Sequence, residues 1–306
     1  MVFAYLFPGQ GSQKVGMGAD IYAAFEQARR RFDEANEILG RDLKKICFEG
    51  PAEELTATHN TQPALFTVEA AICDVLEAKG IAPSLALGHS LGEYSALYAA
   101  GVFSFADGLR IVAKRGELMA EAGRTAHGAM AAVIGISRDD IVKVLSTVNG
   151  VVVPANENSP DQTVISGQAE AVKEAGEKLM AAGAKRVIQL AVSGAFHSPI
   201  MKPAADRFGD FLKTFPFTSA RCGVVSNVSA KPETDPGVIR ELLVRQLTSP
   251  VRWVDSMAYV GRQEAITCIE IGPGNVLKGL ARKCNAALNV VSCETVDNLY
   301  SLLKLS

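Results

Sequence analysis

At 306 residues the chain is long enough for about two domains, or one large domain with an insertion, and for a sizeable core. With 48% hydrophobic and 21% charged residues it has ordinary globular composition, which excludes wholesale disorder, collagen-like repeats and coiled coil. A net charge of -2, from 31 Lys and Arg against 33 Asp and Glu, argues against a nucleic-acid or polybasic membrane protein. Any charged partner must be met by a local patch.

In chain order, residues 2–7 are apolar, with no basic segment and no small-residue cleavage site. They read as a first strand, not a signal peptide. Helical patterns follow at about 20–38 and 62–79, then a strand at 84–88 and helices at 91–100 and 105–122, the last opened by a Ser104/Asp107 capping box. The middle changes rhythm. A strand at 128–136 precedes a helix capped by Ser137 with Asp140 and running to about 147; a strand at 151–155, a polar turn NENSPD and a strand at 162–166 come next. A helix to about 182 and a strand at 185–192 complete a β-α-β-β-α-β order, the ferredoxin-like unit. Beyond it lie helices at 199–213, 237–247, 252–261, 275–284 and 296–304 and strands at 222–226, 266–271 and 289–292. The expected fold is α/β with a mainly parallel sheet and a small inserted domain at about 125–193. No apolar stretch of about 18 residues is available to span a bilayer. The six cysteines form no Cys-x-x-Cys and read as free thiols in a reducing cytoplasm. Asn227-Val228-Ser229 fits a glycosylation sequon, which means nothing without secretion.

Gly88-His89-Ser90-Leu91-Gly92 stands between a strand and a helix, the context of a Gly-x-Ser-x-Gly nucleophile elbow. Its glycines permit a tight turn that would hold Ser90 at a helix N-terminus; the alternative is an ordinary turn with Ser90 as a helix cap. A serine nucleophile needs a base. Of four histidines, His89 adjoins Ser90 and is expected to hold the loop, His59 lies in the polar loop THNTQP, and His127 lies at the expected domain junction. His197, in Gly194-Ala-Phe-His-Ser-Pro just after the insert, is the base candidate by elimination, with a structural histidine as the alternative. Arg115 points along an apolar stripe with Ile111, Val112, Leu118 and Met119. A buried guanidinium needs an anion: a structural ion pair, or a substrate carboxylate matched by its planar fork. Pro8-Gly9-Gln10-Gly11-Ser12-Gln13 is neither a P-loop nor a Gly-x-Gly-x-x-Gly fingerprint, but its glycines would let the Gln10 N–H approach an oxyanion. Ile271-Gly272-Pro273-Gly274-Asn275 is a second glycine loop at a strand end.

Together these residues resemble the malonyl-CoA:acyl carrier protein transacylase family, within the acyltransferases of fatty acid and polyketide synthesis. The matching pieces, in the family's order, are FPGQGSQ (7–13), TQPALF (61–66), GHSLGEYSAL (88–97), the KRG around Arg115, ANENSPDQTVISG (155–167), GAFHSP (194–199), VSNV (225–228), QLTSPVRW (246–253) and IEIGPGNVLKGL (269–280). The resemblance implies a hydrolase-like large domain from residues 1–124 and 194–306 around a ferredoxin-like small domain at 125–193. It implies that Ser90 becomes a malonyl ester, with His197 as general base oriented by the backbone carbonyl of Gln246. It also implies Gln10 and Leu91 as oxyanion donors, Arg115 as the clamp on the malonyl carboxylate, and Phe196 as the bulky residue that excludes a methyl branch. Malonyl-CoA and holo acyl carrier protein are then the partners. No bound cofactor or metal, no nucleic acid or membrane, and a cytoplasmic monomer are expected.

An acidic carrier would meet a basic rim, for which Lys185, Arg186, Lys202, Arg207, Lys278, Arg282 and Lys283 are candidates. Three other readings compete. A serine thioesterase or esterase would want an acidic residue before the histidine and gives Arg115 no task. A discrete acyltransferase could load polyketide carriers. A non-catalytic carrier-binding subunit would have lost Ser90 or His197, and both are present.

Overall fold

In the computed structural model, which describes residues 2–125, 127–192 and 194–304, the strands are β1 Val2–Phe7, β2 Leu85–Gly88, β3 Gly128–Ile134, β4 Val152–Ser159, β5 Gln162–Gln168, β6 Arg186–Gln189, β7 Gly223–Val225, β8 Pro232–Glu233, β9 Ile266–Ile271 and β10 Val290–Cys293. Six form one sheet in the order β10-β9-β1-β2-β7-β8, parallel throughout except for the β7–β8 pair.

Alternation along each strand sends neighbouring side chains to opposite faces. Phe3, Tyr5 and Phe7 of β1 join Ala86, Val224 and Ile269 in one core, under the long helices Glu26–Leu39, Thr58–Ala78 and Phe105–Thr125. Ala4 and Leu6 join Leu85, Leu87 and Val225 in a second core, against Trp253–Val260 and Val276–Cys284. Burial on both faces is why these strands read as continuous apolar runs.

The other four strands make a separate antiparallel sheet, β4-β5-β3-β6, the strand order of a ferredoxin-like unit. Ala129, Ala131 and Val133 of β3 pack against the helices Arg138–Leu145 and Ala169–Ala181. Met130 and Ala132 face the other way and join the core of the large sheet. The small sheet therefore lies with one face toward the large unit. Ser193, the last residue of the expected insert, lies outside the described residues.

Several elements differ from expectation. Of NENSPD only Pro160 and Asp161 turn: β4 continues through Ser159, with irregular register at Pro154/Asn156 and Glu157/Ser159. Its polar residues are accommodated because Asn156 bridges to Val251, the Glu157 N–H donates to the Val251 carbonyl at 2.9 Å, and Arg138 pairs with Glu157 at 2.9 Å. The helix expected over 20–38 breaks at Phe25, whose extended backbone sends its ring to within 6.1 Å of that of Tyr300. Leu43–Glu49 and Ala52–Thr56 are helices too short to show a period. THNTQP, expected as a loop, opens the helix Thr58–Ala78 with Pro63 inside it. Proline cannot donate to the His59 carbonyl one turn back, and Arg41 Nη2 donates there instead at 3.1 Å. The strand expected over 185–192 is confined to β6.

Candidate active site

The helix Gly92–Ala99 starts four residues after β2 ends, leaving Ser90 at the apex of a sharp turn. Its φ of 52° is left-handed, an uncommon conformation for a residue with a side chain. The turn closes because two residues beside it have no Cβ. One added to Gly88 would lie 1.9 Å from the Gly92 carbonyl carbon, and one on Gly92 would lie 2.1 Å from the Phe7 carbonyl oxygen. Buried Asn227 holds the strained backbone from across the sheet. Its Oδ1 accepts from the Ser90 N–H at 2.7 Å, and its Nδ2 donates to the Gly88 carbonyl at 2.6 Å.

Ser90 Oγ is 2.7 Å from Nε2 of His197. On the far side of the ring, Nδ1 is 2.8 Å from the Gln246 carbonyl oxygen. A carbonyl can only accept, so Nδ1 carries the proton and Nε2 is left to accept from the serine hydroxyl. Burial first, and the Arg115 guanidinium next, push the His197 pKa from 6.5 down to about 3. The ring is therefore neutral at pH 7 and able to take a proton.

Arg115 is 1% exposed in the middle of the helix Phe105–Thr125. Its Nη1 donates to Gln62 Oε1 at 2.8 Å, and its Nη2 donates to Ser90 Oγ at 3.0 Å and Gln246 Oε1 at 2.9 Å. Among the described residues no Asp or Glu forms an ion pair with it. A buried cation held by neutral oxygens keeps its charge available for an incoming anion. Beside it lies a cavity of about 110 Å³, lined by Ser90, Met119, Met130, Phe196 and His197 among others.

Gln10 and Leu91 border the same cavity. The loop after β1 reaches the elbow because Gly9 has no side chain: a Cβ there would lie 2.3 Å from the His89 carbonyl oxygen. Within the described residues neither the Gln10 nor the Leu91 N–H has a hydrogen-bond acceptor. The Gln10 side chain is occupied elsewhere, its Oε1 accepting from Thr58 Oγ1 at 2.7 Å. Two free N–H groups on residues that line one cavity with Ser90 can receive a developing oxyanion.

Phe196 is 6% exposed, and its ring is seated by Gly194, where a Cβ would come within 2.8 Å of it. His89 turns away from Ser90, with Nε2 2.8 Å from Asn158 Oδ1 and its ring 5.5 Å from that of Trp253. His59 is exposed in the first turn of a helix, and His127 is exposed ahead of β3. The 271–275 loop serves the fold. Glu270, which precedes it, accepts the Leu277 and Lys278 N–H groups of the following helix at 2.8 and 2.9 Å. Of the basic rim candidates, Arg207 pairs with Glu121, Lys202 with Asp206 and Lys283 with Asp161. Gln62, Asn227, Met119 and Met130 are site residues that the sequence reading does not assign to the site, Met119 entering it only through the apolar stripe and Asn227 only through the sequon. Gln62 and Asn227 sit within TQPALF and VSNV, where a polar residue beside apolar ones is the available signal. Among the described residues no cluster of His, Cys, Asp or Glu could hold a metal, and no helix is long and apolar enough to cross a membrane.

Residues 4–300 match the family of the acyl transferase domain. The chain is 46% identical over 307 residues to malonyl CoA-acyl carrier protein transacylase of Bacillus subtilis, covering 98% of this chain and 97% of that one. It is 47% identical over 306 residues to the protein of the same name in Escherichia coli K12, covering 99% of each. It superposes with a TM-score of 0.97 and 44% identity, over 100% of both chains, on a malonyl-transacylase solved in complex with its type II polyketide acyl carrier protein.

Proposed function

The chain belongs to the acyl transferase domain family, and from that premise we propose that it moves the malonyl group of malonyl-CoA to the phosphopantetheine thiol of acyl carrier protein, supplying extender units for fatty acid synthesis. Ser90 is the nucleophile and His197 its base. Nε2 takes the serine proton as Oγ attacks the thioester carbonyl, and the tetrahedral oxyanion is met by the N–H groups of Gln10 and Leu91. Collapse breaks the carbon–sulfur bond, and the imidazolium returns its proton to the departing CoA thiolate. The malonyl ester of Ser90 remains. The carrier thiol then gives its proton to His197 and attacks the ester, and Ser90 leaves with that proton. The Gln246 carbonyl keeps the ring in the required tautomer throughout.

The observation that carries this reading is the meeting of a neutral imidazole and a buried guanidinium at one oxygen, 2.7 and 3.0 Å from Ser90 Oγ. Arg115 then exchanges the Ser90 oxygen on Nη2 and the Gln62 oxygen on Nη1 for the two oxygens of the malonyl carboxylate, a pairing suited to its fork, and keeps Gln246 Oε1 on Nη2. A simple thioesterase has no use for that cation. Phe196 narrows the space beside the acyl chain. The same proposal takes 125–193 as a small domain inserted between 1–124 and 194–306, which the separate antiparallel sheet supports.

Intact-protein mass after brief exposure to malonyl-CoA tests the reading. A malonyl adduct that needs Ser90 and disappears on adding holo carrier protein is expected. Free malonate and CoA without an adduct would favour a thioesterase, and no turnover at all would favour a carrier-binding subunit. Transfer to a polyketide carrier is a second reading, favoured by the similar enzyme solved with one; relative transfer rates to the two carrier classes separate them.

A further inference from the structure

Glu93 has no task in the mechanism above, yet it is 3% exposed and lies one bond beyond the groups that hold Arg115. The Gln246 side chain connects the two. Its Nε2 donates to Glu93 Oε2 at 2.7 Å, and its Oε1 accepts from Arg115 Nη2 at 2.9 Å. The opposite amide orientation would set an NH₂ against the guanidinium and an oxygen against the carboxylate, so the hydrogen-bond chain has one direction. The Asn227 N–H also donates to Glu93 Oε2, at 3.2 Å, and Gln246 Nε2 donates to the Ser90 carbonyl at 2.9 Å.

We propose that Glu93 is a positioning residue for the diacid substrate: it is the remote counter-charge of Arg115, linked through the Gln246 carboxamide, and its ionisation sets how strongly the pocket holds a carboxylate. This rests on the malonyl-transfer reading. Arg115 makes no direct ion pair among the described residues; beside the Tyr94 ring, whose centre is 5.3 Å from the guanidinium carbon, its compensation is this relayed carboxylate. The groups facing Glu93 are Arg115 from the helix Phe105–Thr125, Tyr94 from its own helix, Ser226 and Asn227 beyond β7, and Gln246, with His197 on the far side of Arg115. Burial lifts the Glu93 carboxyl from 4.5 to about 7, with the Gln246, Asn227 and Ser226 hydrogen bonds and Arg115 opposing.

A malonyl carboxylate on Arg115 places a second negative charge on the same cation. Ionised Glu93 repels that charge, and protonated Glu93 does not. By linkage the diacid is held better at lower pH, and loading raises the Glu93 pKa and draws a proton from solvent. An acetyl group carries no charge and does neither. His197 titrates too low to mimic the effect near neutral pH.

The test is the half-saturating concentration for serine loading between pH 6 and 8.5, for malonyl-CoA and acetyl-CoA, in the wild type and Glu93→Gln. Glutamine keeps an acceptor for Gln246 and Asn227. The expected wild-type result is a rise of about threefold or more for malonyl-CoA and none for acetyl-CoA; a one-unit pKa shift on loading would give about tenfold. In Glu93→Gln the malonyl dependence flattens while loading persists. An unchanged malonyl profile in the variant overturns the proposal. A second measurement uses the wild type alone: proton uptake at pH 7 in weak buffer, followed by an indicator dye. Uptake with malonyl-CoA in excess of acetyl-CoA supports the coupling, and equal uptake overturns it. Loading without pH coupling would defeat this inference only, whereas absence of any malonyl adduct would defeat the parent reading with it.

Discussion

The Nδ1–H of His197 donates to the main-chain carbonyl of Gln246 at 2.8 Å, in the place where a Ser-His-Asp arrangement sets a carboxylate. A neutral carbonyl fixes the tautomer without adding negative charge to the ring. The imidazole therefore has no adjacent anion to raise its pKa, while burial and Arg115 lower it.

The first prediction follows from that imbalance. His197 stays unprotonated down to about pH 3, so the acid limb of the malonyl-loading rate lies well below 6.5, the ordinary histidine value. The sign for stability is the same. Between those two pH values the unfolded chain binds a proton that the folded site refuses, so stability falls as pH falls through this window. His197→Ala slows loading by about 10²–10⁴-fold at neutral pH. Stopped-flow loading and denaturant unfolding across pH check both, and near wild-type loading in the variant would remove His197 as base.

Arg115→Ala costs malonyl loading about 10²-fold or more and acetyl loading far less, because a carboxylate clamp helps only the diacid. It also removes a cation beside His197, so the acid limb moves up in pH. Equal losses for the two acyl groups would mark the arginine as structural.

Phe196→Ser opens the wall of a cavity of about 110 Å³ and improves the use of methylmalonyl-CoA relative to malonyl-CoA. A methyl group is worth about 1–3 kcal/mol in such a pocket, a shift of roughly 10- to 200-fold at most. Competition between the two thioesters, read by adduct mass, measures it; an unchanged ratio would sink the steric argument.

Lys278 and Arg282 share the helix Val276–Cys284 with Lys283, and only Lys283 has an ion-pair partner among the described residues. Reversing the three charges raises the apparent KM for an acidic carrier several-fold and leaves loading from malonyl-CoA intact. Unaltered carrier kinetics would move the dock to another face.

The two sheets and the elbow could be read from sequence because their signals are local. Apolar strands alternate with helices, and Gly88 and Gly92 flank Ser90 wherever the chain is cut out of context. Arg115 was visible because it breaks an apolar stripe. The bonds that hold these groups were not visible. Asn227 reaches back across 139 residues to the Gly88 carbonyl, and Gln246 across 153 to Glu93. Such partners are set by tertiary proximity, which no periodicity encodes. The first four residues of NENSPD are the converse case. They have turn propensity, but Val251 offered a backbone partner and Arg138 a charge, and packing overrode the local preference.

That extended β4 has a mechanical consequence. Between Ala155 and Asn158 it is fastened to the large unit four times: the Val251 N–H to the Ala155 carbonyl at 2.8 Å, the Glu157 N–H to the Val251 carbonyl at 2.9 Å, Asn158 to His89 at 2.8 Å, and the Cys284 thiol to the Asn158 carbonyl at 3.6 Å. The third stitch ties directly to the neighbour of the serine. The serine is thus referenced to both sheets at once, since any displacement of β4 is passed through Asn158 to the His89 ring and so to the elbow.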